Sequence, residues 1–434
     1  APVWTGIRNC TAPGPIAPQP SSRLERVTGP PTPAGPQDED CLSLTVWTPG
    51  RDGDRLPVLV WLHGGGFTSG SGSAEWYDGR HLAERGDLVV VSVNYRLGAL
   101  GYLYLAELAE DMGAGNQGLL DMISALHWVR DTIASFGGDP ARVTVAGQSA
   151  GALSTVAMMA NEANSGLFHR AILQSGPYSP AAAPVAEATD VAHRFLAALG
   201  LRSGDACRLR EVPVARLLAA QQSVARDLAR PLSAVPPFQL VADGHVVPED
   251  PVGLVGAGAG VGIPVLLGCN GDEAGAFLAG DERLARLTRE DVLDALRPRF
   301  GDQVEDEYAR LGPGSPASVG AALLGECDFV RPQRRLAAAR AATGSPVYAY
   351  RFDWRPPESV FGACHCLELP FVFGNPEAWR DAPMLPHGGR MPTALVDTVQ
   401  GAWISFVRSG SPNGAGLARW PRHDGTAATV MRWT

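Results

Sequence analysis

Arg142-Val-Thr-Val-Ala-Gly-Gln-Ser-Ala-Gly151 is the stretch on which the reading of the whole chain turns. Its first half, Val143-Thr-Val-Ala146, is a short apolar and β-branched run, the composition of a strand buried on both faces. Its second half, Gly147-Gln-Ser-Ala-Gly151, matches G-x-S-x-G, and residues 153–160 behind it read as a helix. A serine flanked by glycines between strand and helix is the setting of a nucleophile elbow. The turn is sharp, its backbone is strained, and only small neighbours let the chain pass so closely. The helix starting there aims free N–H groups and its positive dipole end at the space before the serine. Taken alone, the pentapeptide also fits a plain tight turn with an exposed serine, so its surroundings decide.

Working outward, Leu56-Pro-Val-Leu-Val-Trp-Leu62 and Asp87-Leu-Val-Val-Val-Ser-Val93 are further buried strands, with Pro57 tolerable only at a strand start. Residues 42–46, Arg170-Ala-Ile-Leu-Gln174, 264–267 and 347–352 add shorter ones. Apolar residues recur at three- and four-residue steps over 118–136, which predicts a helix ended by Gly137-Gly-Asp-Pro140. Residues 181–243 and 280–340 read as mainly helical insertions, and the Pro-rich residues 1–40 as irregular surface chain. Strands alternating with helices imply an α/β protein with a mostly parallel central sheet flanked by helices. No repeat or linker divides the chain, so residues 1–434 read as one domain. His63-Gly-Gly-Gly-Phe67 directly follows the strand ending at Leu62. Three successive glycines let backbone N–H groups turn toward a substrate oxygen, the HGGG-type oxyanion loop of the α/β-hydrolase fold.

Composition narrows the chemistry. The 434 residues are 45% hydrophobic and 19% charged, which excludes long disorder and provides a large core. The net charge of −9, with no basic cluster, excludes the positive footprint of a nucleic-acid binder. All 36 basic residues are arginine, so Schiff-base chemistry, a P-loop and a Ser-Lys dyad are impossible. The seven cysteines match no disulfide framework or zinc spacing; Cys10 and Cys41 leave a bridge open. No metal or organic cofactor is called for. The longest uncharged run, residues 251–271, is broken by Gly253, Gly256, Gly258, Gly260, Gly262 and Pro264, and suits a helix end, a loop and a short strand rather than a membrane span. The chain begins at Ala1 without a signal-peptide pattern, so it reads as a soluble, processed or shortened form of no assigned compartment or oligomeric state.

The chain resembles the type-B carboxylesterase family, which includes bacterial para-nitrobenzyl esterases and the cholinesterases. The matching stretches span nearly all of it. They include Glu39-Asp-Cys-Leu-Ser-Leu44, His63-Gly-Gly-Gly-Phe67, Val93-Asn-Tyr-Arg-Leu-Gly98 and Gly115-Asn-Gln-Gly-Leu-Leu-Asp121. Further along come Gly147-Gln-Ser-Ala-Gly151, Phe168-His-Arg-Ala-Ile-Leu-Gln-Ser-Gly176, Asn270-Gly-Asp-Glu273 and His365-Cys-Leu-Glu-Leu-Pro-Phe-Val-Phe-Gly374. A serine nucleophile needs a base, and the base an acid, in the chain order Ser, acid, His. His169, His193, His245, His365, His387 and His423 follow Ser149, and the resemblance selects His365. It implies Glu273 as the acid, with Ala274 where a glycine is usual, and leaves Asp272 beside it as the competitor. The implied roles are Ser149 as nucleophile, His365 as general base and then acid, and Glu273 as the residue orienting it. Backbone N–H groups of Gly65, Gly66 and Ala150 form the implied oxyanion hole.

Several departures carry expectations. Gln148 stands where the family often has glutamate, which removes a negative charge beside the site. The loop that bears a cation-stacking tryptophan in cholinesterases corresponds to residues 21–38, which hold no aromatic residue, and the upstream cysteine partner of Cys41 falls on Ala17. Ser175 sits where the family has a serine in a hydrogen-bond network near the triad; a polar strand-end residue is the alternative. Ala1-Pro-Val-Trp-Thr-Gly6 resembles sequence that follows a small leading sheet, so that sheet is expected to be missing, with residues 1–38 lying over the surface it covers or a longer native chain supplying it. The implied function is a serine esterase acting through an acyl-enzyme on small neutral esters. A pathway-dedicated esterase, thioesterase or acyltransferase would use the same residues, and a catalytically silent binding module would have lost one of them.

Overall fold

The computed structural model describes residues 5–6, 9–30, 35–50, 53–109, 112–113, 115–279, 281, 283–386, 388, 390–426 and 429–434. Eight strands form the main sheet: β1 (Leu44–Trp47), β2 (Leu56–Leu62), β3 (Val89–Val93), β4 (Gly138–Gln148), β5 (Arg170–Gln174), β6 (Val265–Asn270), β7 (Val347–Phe352) and β8 (Val430–Trp433). Their spatial order is β1-β3-β2-β4-β5-β6-β7-β8. Every pairing is parallel except that of the edge strand β1 with β3. A separate two-stranded pair joins Ala183–Pro184 to Val241–Ala242.

The inner strands alternate sides residue by residue, which is why they read as unbroken apolar runs. Val58, Val60 and Leu62 of β2 join Val89, Val91, Val143, Val145, Leu173 and Val265 in one core layer, under the helices Gln117–Thr132 and Ala150–Ala160. Leu59 and Trp61 point the other way, with Val90, Ala146, Ile172 and Tyr350, toward the helices Leu369–Phe373 and Thr393–Ser409. A third cluster, including Leu232, Val292, Leu296 and Leu323, is the private core of the helical insertion built from Arg289–Phe300, Val304–Arg310 and Pro316–Gly325.

The structure departs from the sequence reading at identifiable places. β4 starts at Gly138, inside the segment read as a turn; the pairing to β2 shifts register between Leu56 and Val58, and that irregularity accommodates Pro140. β8 and the helix Thr393–Ser409 lie beyond the elements read from sequence. β8 is four residues long, carries the exposed Arg432, and owes its place to Trp433, whose ring meets Trp403 at 5.5 Å and Trp420 at 5.2 Å. Residues 228–240 are irregular rather than helical.

Where residues 1–38 are described they add no strand to the edge of the main sheet; residues 1–4, 7–8 and 31–34, and His387, fall outside the described residues. β1 has β3 as its sole sheet partner among the described residues. The segment instead crosses the carboxyl ends of the strands. Leu24 and Val27 are apolar and reach burial there, beside Trp61 and Met384, and Gln19 clamps both polar groups of Gly70.

At the elbow, two glycines are required sterically. A Cβ on Gly151 would overlap the carbonyl oxygen of Leu62, and one on Gly147 would overlap the backbone of Gly151. Gly151→Ala is therefore expected to destabilise the fold by about 1–3 kcal/mol, as overpacking against a rigid backbone does; urea unfolding against the wild type measures it.

Candidate active site

Ser149, Glu273 and His365 come from three segments that all leave the sheet at the carboxyl ends of its parallel strands, where open α/β sheets form crevices. Ser149 follows β4 directly. It has φ 55° and ψ −119°, a region costing roughly 1–3 kcal/mol for a residue with a side chain. Its N–H is held by the Gln174 carbonyl at 2.8 Å and its carbonyl receives Leu153 N–H at 3.0 Å, so both flanking elements fix the turn.

Glu273 follows β6, and His365 lies in the loop after β7. The two are fully buried, with Glu273 Oε2 at 2.5 Å from His365 Nδ1. Glu273 Oε1 accepts Asn270 N–H at 2.7 Å. The acid turn also carries the histidine loop: Asp272 N–H reaches the Ala363 carbonyl at 2.8 Å, Asp272 Oδ2 accepts Ala363 N–H at 2.9 Å, and Asn270 Nδ2 donates to the Cys364 carbonyl at 2.7 Å. Asp272 thus points at the backbone before His365, and Glu273 at its ring. Phe277 and Phe329 close on the imidazole, with ring centroids at 4.8 and 5.3 Å.

Gln148 approaches the other side of that ring, its Nε2 at 3.0 Å from His365 Nε2. With Nδ1–H given to Glu273, Nε2 carries the lone pair and the Gln148 amide donates to it. No hydrogen bond joins Ser149 Oγ to His365 in this structure. Ser149 instead lines a narrow cavity open to solvent, together with Gly66, Phe67, Ala150, Leu153 and Phe277.

The glycine loop is oriented by its carbonyls. His63 Nδ1–H donates to the Gly64 carbonyl at 2.7 Å, and the Gly65 carbonyl accepts Thr68 and Ser69 N–H at 3.2 and 3.1 Å. In a trans peptide the N–H points opposite the carbonyl, so the Gly65 and Gly66 N–H groups face away from those bonds. Gly66 and Ala150 line the cavity, and Gly65 precedes Gly66 in the loop. Ala150 opens its helix, where an N–H has no intrahelical partner. Burial lowers the His63 pKa to about 4, so His63 stays neutral at pH 7, and its ring stacks on Tyr95 at 4.3 Å.

Ser175 does not enter a network. Its Oγ is buried without a hydrogen bond to any described group, and its neighbour Gln174 makes the bonds instead. Gln174 Nε2 donates to Glu368 Oε1 at 3.2 Å and its Oε1 accepts Trp403 Nε1–H at 2.9 Å, while Asn270 Nδ2 donates to Glu368 Oε2 at 2.7 Å. Burial and the nearby Glu273 charge push the Glu368 pKa up. Glu368 was visible three residues after His365; Gln174 and Trp403 carried no sequence signal. At the cavity wall Asp328 lies 3.1 Å from Arg299; burial raises its pKa to about 6 against the pull of that arginine. Among the described residues, all seven cysteines are free, no group of three or more His, Cys, Asp or Glu is placed to hold a metal, and no helix is long and apolar enough to cross a membrane.

Sheet, elbow and glycine loop define a serine hydrolase built on the α/β-hydrolase plan. The family model described as "Carboxylesterase family" matches residues 1–434, and the chain belongs to that family. It is 39% identical over 443 residues to a phenmedipham hydrolase of Pseudarthrobacter oxydans, and 37% identical over 433 residues to a para-nitrobenzyl esterase of Bacillus subtilis; each alignment covers 99% of this chain and 86% of the relative. A solved para-nitrobenzyl esterase superposes with a TM-score of 0.85 at 35% identity, covering 97% of this chain and 84% of the other. A carboxylesterase of Geobacillus stearothermophilus gives 0.85 at 35%, covering 99% and 87%. The enzyme is a carboxylesterase.

The two adjacent carboxylates separate cleanly by experiment. Glu273→Gln removes the acceptor that holds the imidazole tautomer and is expected to cut kcat by about 10⁴-fold with the fold retained. Asp272→Asn keeps an acceptor toward Ala363 N–H and is expected to lose less than about tenfold. Steady-state kinetics with circular dichroism on both variants checks the order.

Proposed function

We propose that this carboxylesterase cleaves small, uncharged carboxylic esters through an acyl-enzyme on Ser149, with His365 as base and acid and Glu273 holding it. The observation that carries this reading is the buried Glu273–His365 pair, 2.5 Å apart, behind a cavity into which Ser149 projects from a strained turn. In the resting arrangement the Gln148 amide occupies the Nε2 lone pair. As substrate enters, Ser149 Oγ turns toward Nε2 and takes over that bond. Oγ then attacks the carbonyl carbon, its proton passes to Nε2, and the oxyanion meets the N–H groups of Gly65, Gly66 and Ala150. Collapse expels the alcohol with the proton from Nε2, and water repeats the sequence on the acyl-enzyme.

The cavity is unsuited to cations. Its lining includes Phe277 and Phe329, both packed on the histidine, and Arg23 sits over Phe277 at 5.9 Å from the ring centre. Asp328 is taken by Arg299. Among the described residues lining the cavity, none offers a cation a free ring and a free carboxylate together.

Ser149→Ala and His365→Ala are each expected to lower kcat by on the order of 10⁴–10⁶, and the double variant little further, because residues that act as a unit are not additive. Multiplicative losses in single-turnover kinetics would separate them into different steps. For substrate charge, kcat/KM for butyrylcholine is expected to fall about thirtyfold or more below that for 3,3-dimethylbutyl butyrate, the worth of a missing desolvated cation–π contact. Equal values would place a cation site in the cleft.

A further inference from the structure

Arg23 is the cavity's unexplained charge. It lines the same cavity as Ser149, and its Nη2 lies beside Gly66: a Cβ added there would come to 3.7 Å from it. One of its five N–H donors is used, from Nη2 to the Ala234 carbonyl at 2.8 Å. No carboxylate pairs with it among the described residues. The surrounding protein lowers its pKa, yet the residue remains exposed, so it is crowded by the cleft without being covered. From the protein the guanidinium gains one carbonyl and the face of Phe277, and the rest of it stays open to the cleft.

Its mounting is rigid. Leu24, the next residue, is buried in the core beside Trp61, and Gln19 is bonded to Gly70 at the end of the glycine loop through both its amide oxygen and its amide nitrogen. Gln239 lines the cavity near Ala234 and makes no side-chain hydrogen bond among the described residues. The other charged group of the lining, Asp328, is compensated by Arg299 and accepts the Cys327 thiol at 3.2 Å. The uncompensated charge of the cleft is therefore positive, and it sits at the mouth of the oxyanion loop.

We propose that Arg23, with Gln239 beside it, is a subsite for a carboxylate carried by the ester substrate. This rests on the esterase reading above and extends its substrates from neutral esters to esters bearing a carboxylate a few bonds from the scissile bond. The carboxylate accepts the guanidinium's free N–H groups, the geometry for which arginine is suited. The group belongs either to the acyl part, as in a hemiester of a short dicarboxylic acid, or to the alcohol part, as in an ester of a hydroxy acid.

The test compares matched substrates on wild type and on Arg23→Gln and Arg23→Lys. The acyl arm uses mono-4-nitrophenyl adipate against 4-nitrophenyl hexanoate, and the alcohol arm 6-(butanoyloxy)hexanoate against hexyl butyrate. Loss of one charge-assisted contact predicts that Arg23→Gln lowers kcat/KM for the carboxylate ester of one arm roughly 10–100-fold, mainly through KM. The neutral partner should stay within about twofold, and Arg23→Lys should recover part of the loss. The arm that responds locates the carboxylate. Equal losses on neutral and anionic esters would make Arg23 a support of the loop or of the oxyanion and overturn the subsite, as would no loss in either arm. Failure of wild type to turn over 4-nitrophenyl hexanoate would instead strike the esterase reading. Calorimetry of monomethyl adipate on Ser149→Ala, with and without Arg23→Gln, reads the subsite without turnover: binding that is absent or unchanged by the second substitution overturns it.

Discussion

Everything in the site depends on how closely a helix is allowed to cross a strand. The helix Ala150–Ala160 leaves β4 and passes directly over the end of β2, with the backbone of Gly151 against the Leu62 carbonyl. No side chain fits in that contact, so two positions must be glycine. The same close passage forces Ser149 into its left-handed conformation, where its side chain meets the cavity instead of the core. It also sets the first N–H of the helix beside the glycine loop that continues from Leu62. The placement of Ser149, of the first helical N–H and of the glycine loop thus follows from one steric requirement, and the apolar side chains buried on both sides of β2, β3 and β4 keep the strands from relaxing it.

Behind the imidazole the protein holds two buried carboxylates without a paired cation. Glu273 is satisfied by the histidine and a backbone N–H, and Glu368 by the side-chain amides of Asn270 and Gln174. Neutral donors suit this position. A buried arginine there would compete with the imidazole for Glu273, whereas amides satisfy the oxygens and leave the charge facing the histidine. Trp403, from the long helix on the far face of the sheet, fixes Gln174 and so ties the rear of the site to the second core layer. Asn270 joins three parts at once, since its backbone holds Glu273 and its side chain holds both Glu368 and the loop before His365.

The amino-terminal segment has a role that its irregular composition conceals. Two apolar residues, Leu24 and Val27, and one glutamine attach it across the strand ends, beside the glycine loop rather than along the open edge of β1. A proline-rich chain of low periodicity forms no ladder, and it settles wherever its few apolar side chains find burial. Here that place is the rim of the cavity, where the segment delivers a guanidinium.

Local patterns were enough for part of this. The strands β2, β5 and β7 are read from sequence with the ends observed: β2 is an unbroken apolar run, and in β5 and β7 a short apolar core is flanked or interrupted by polar positions. The elbow and the glycine loop were legible because steric necessity there is written into neighbouring residues. The pairing of Glu273 with His365 was reached through resemblance: 92 residues separate them, and no local pattern states that β6 and β7 are neighbours. The tertiary structure alone decided the rest. Gln148 reaches His365 rather than only lining the turn, Gln174 takes the place expected of Ser175, and Arg23 enters the cleft from a segment with no recognisable pattern. Each of these depends on where a polar side chain finds partners once distant strands have been brought together, and hydrogen bonds between residues more than a hundred positions apart leave no periodicity in a chain.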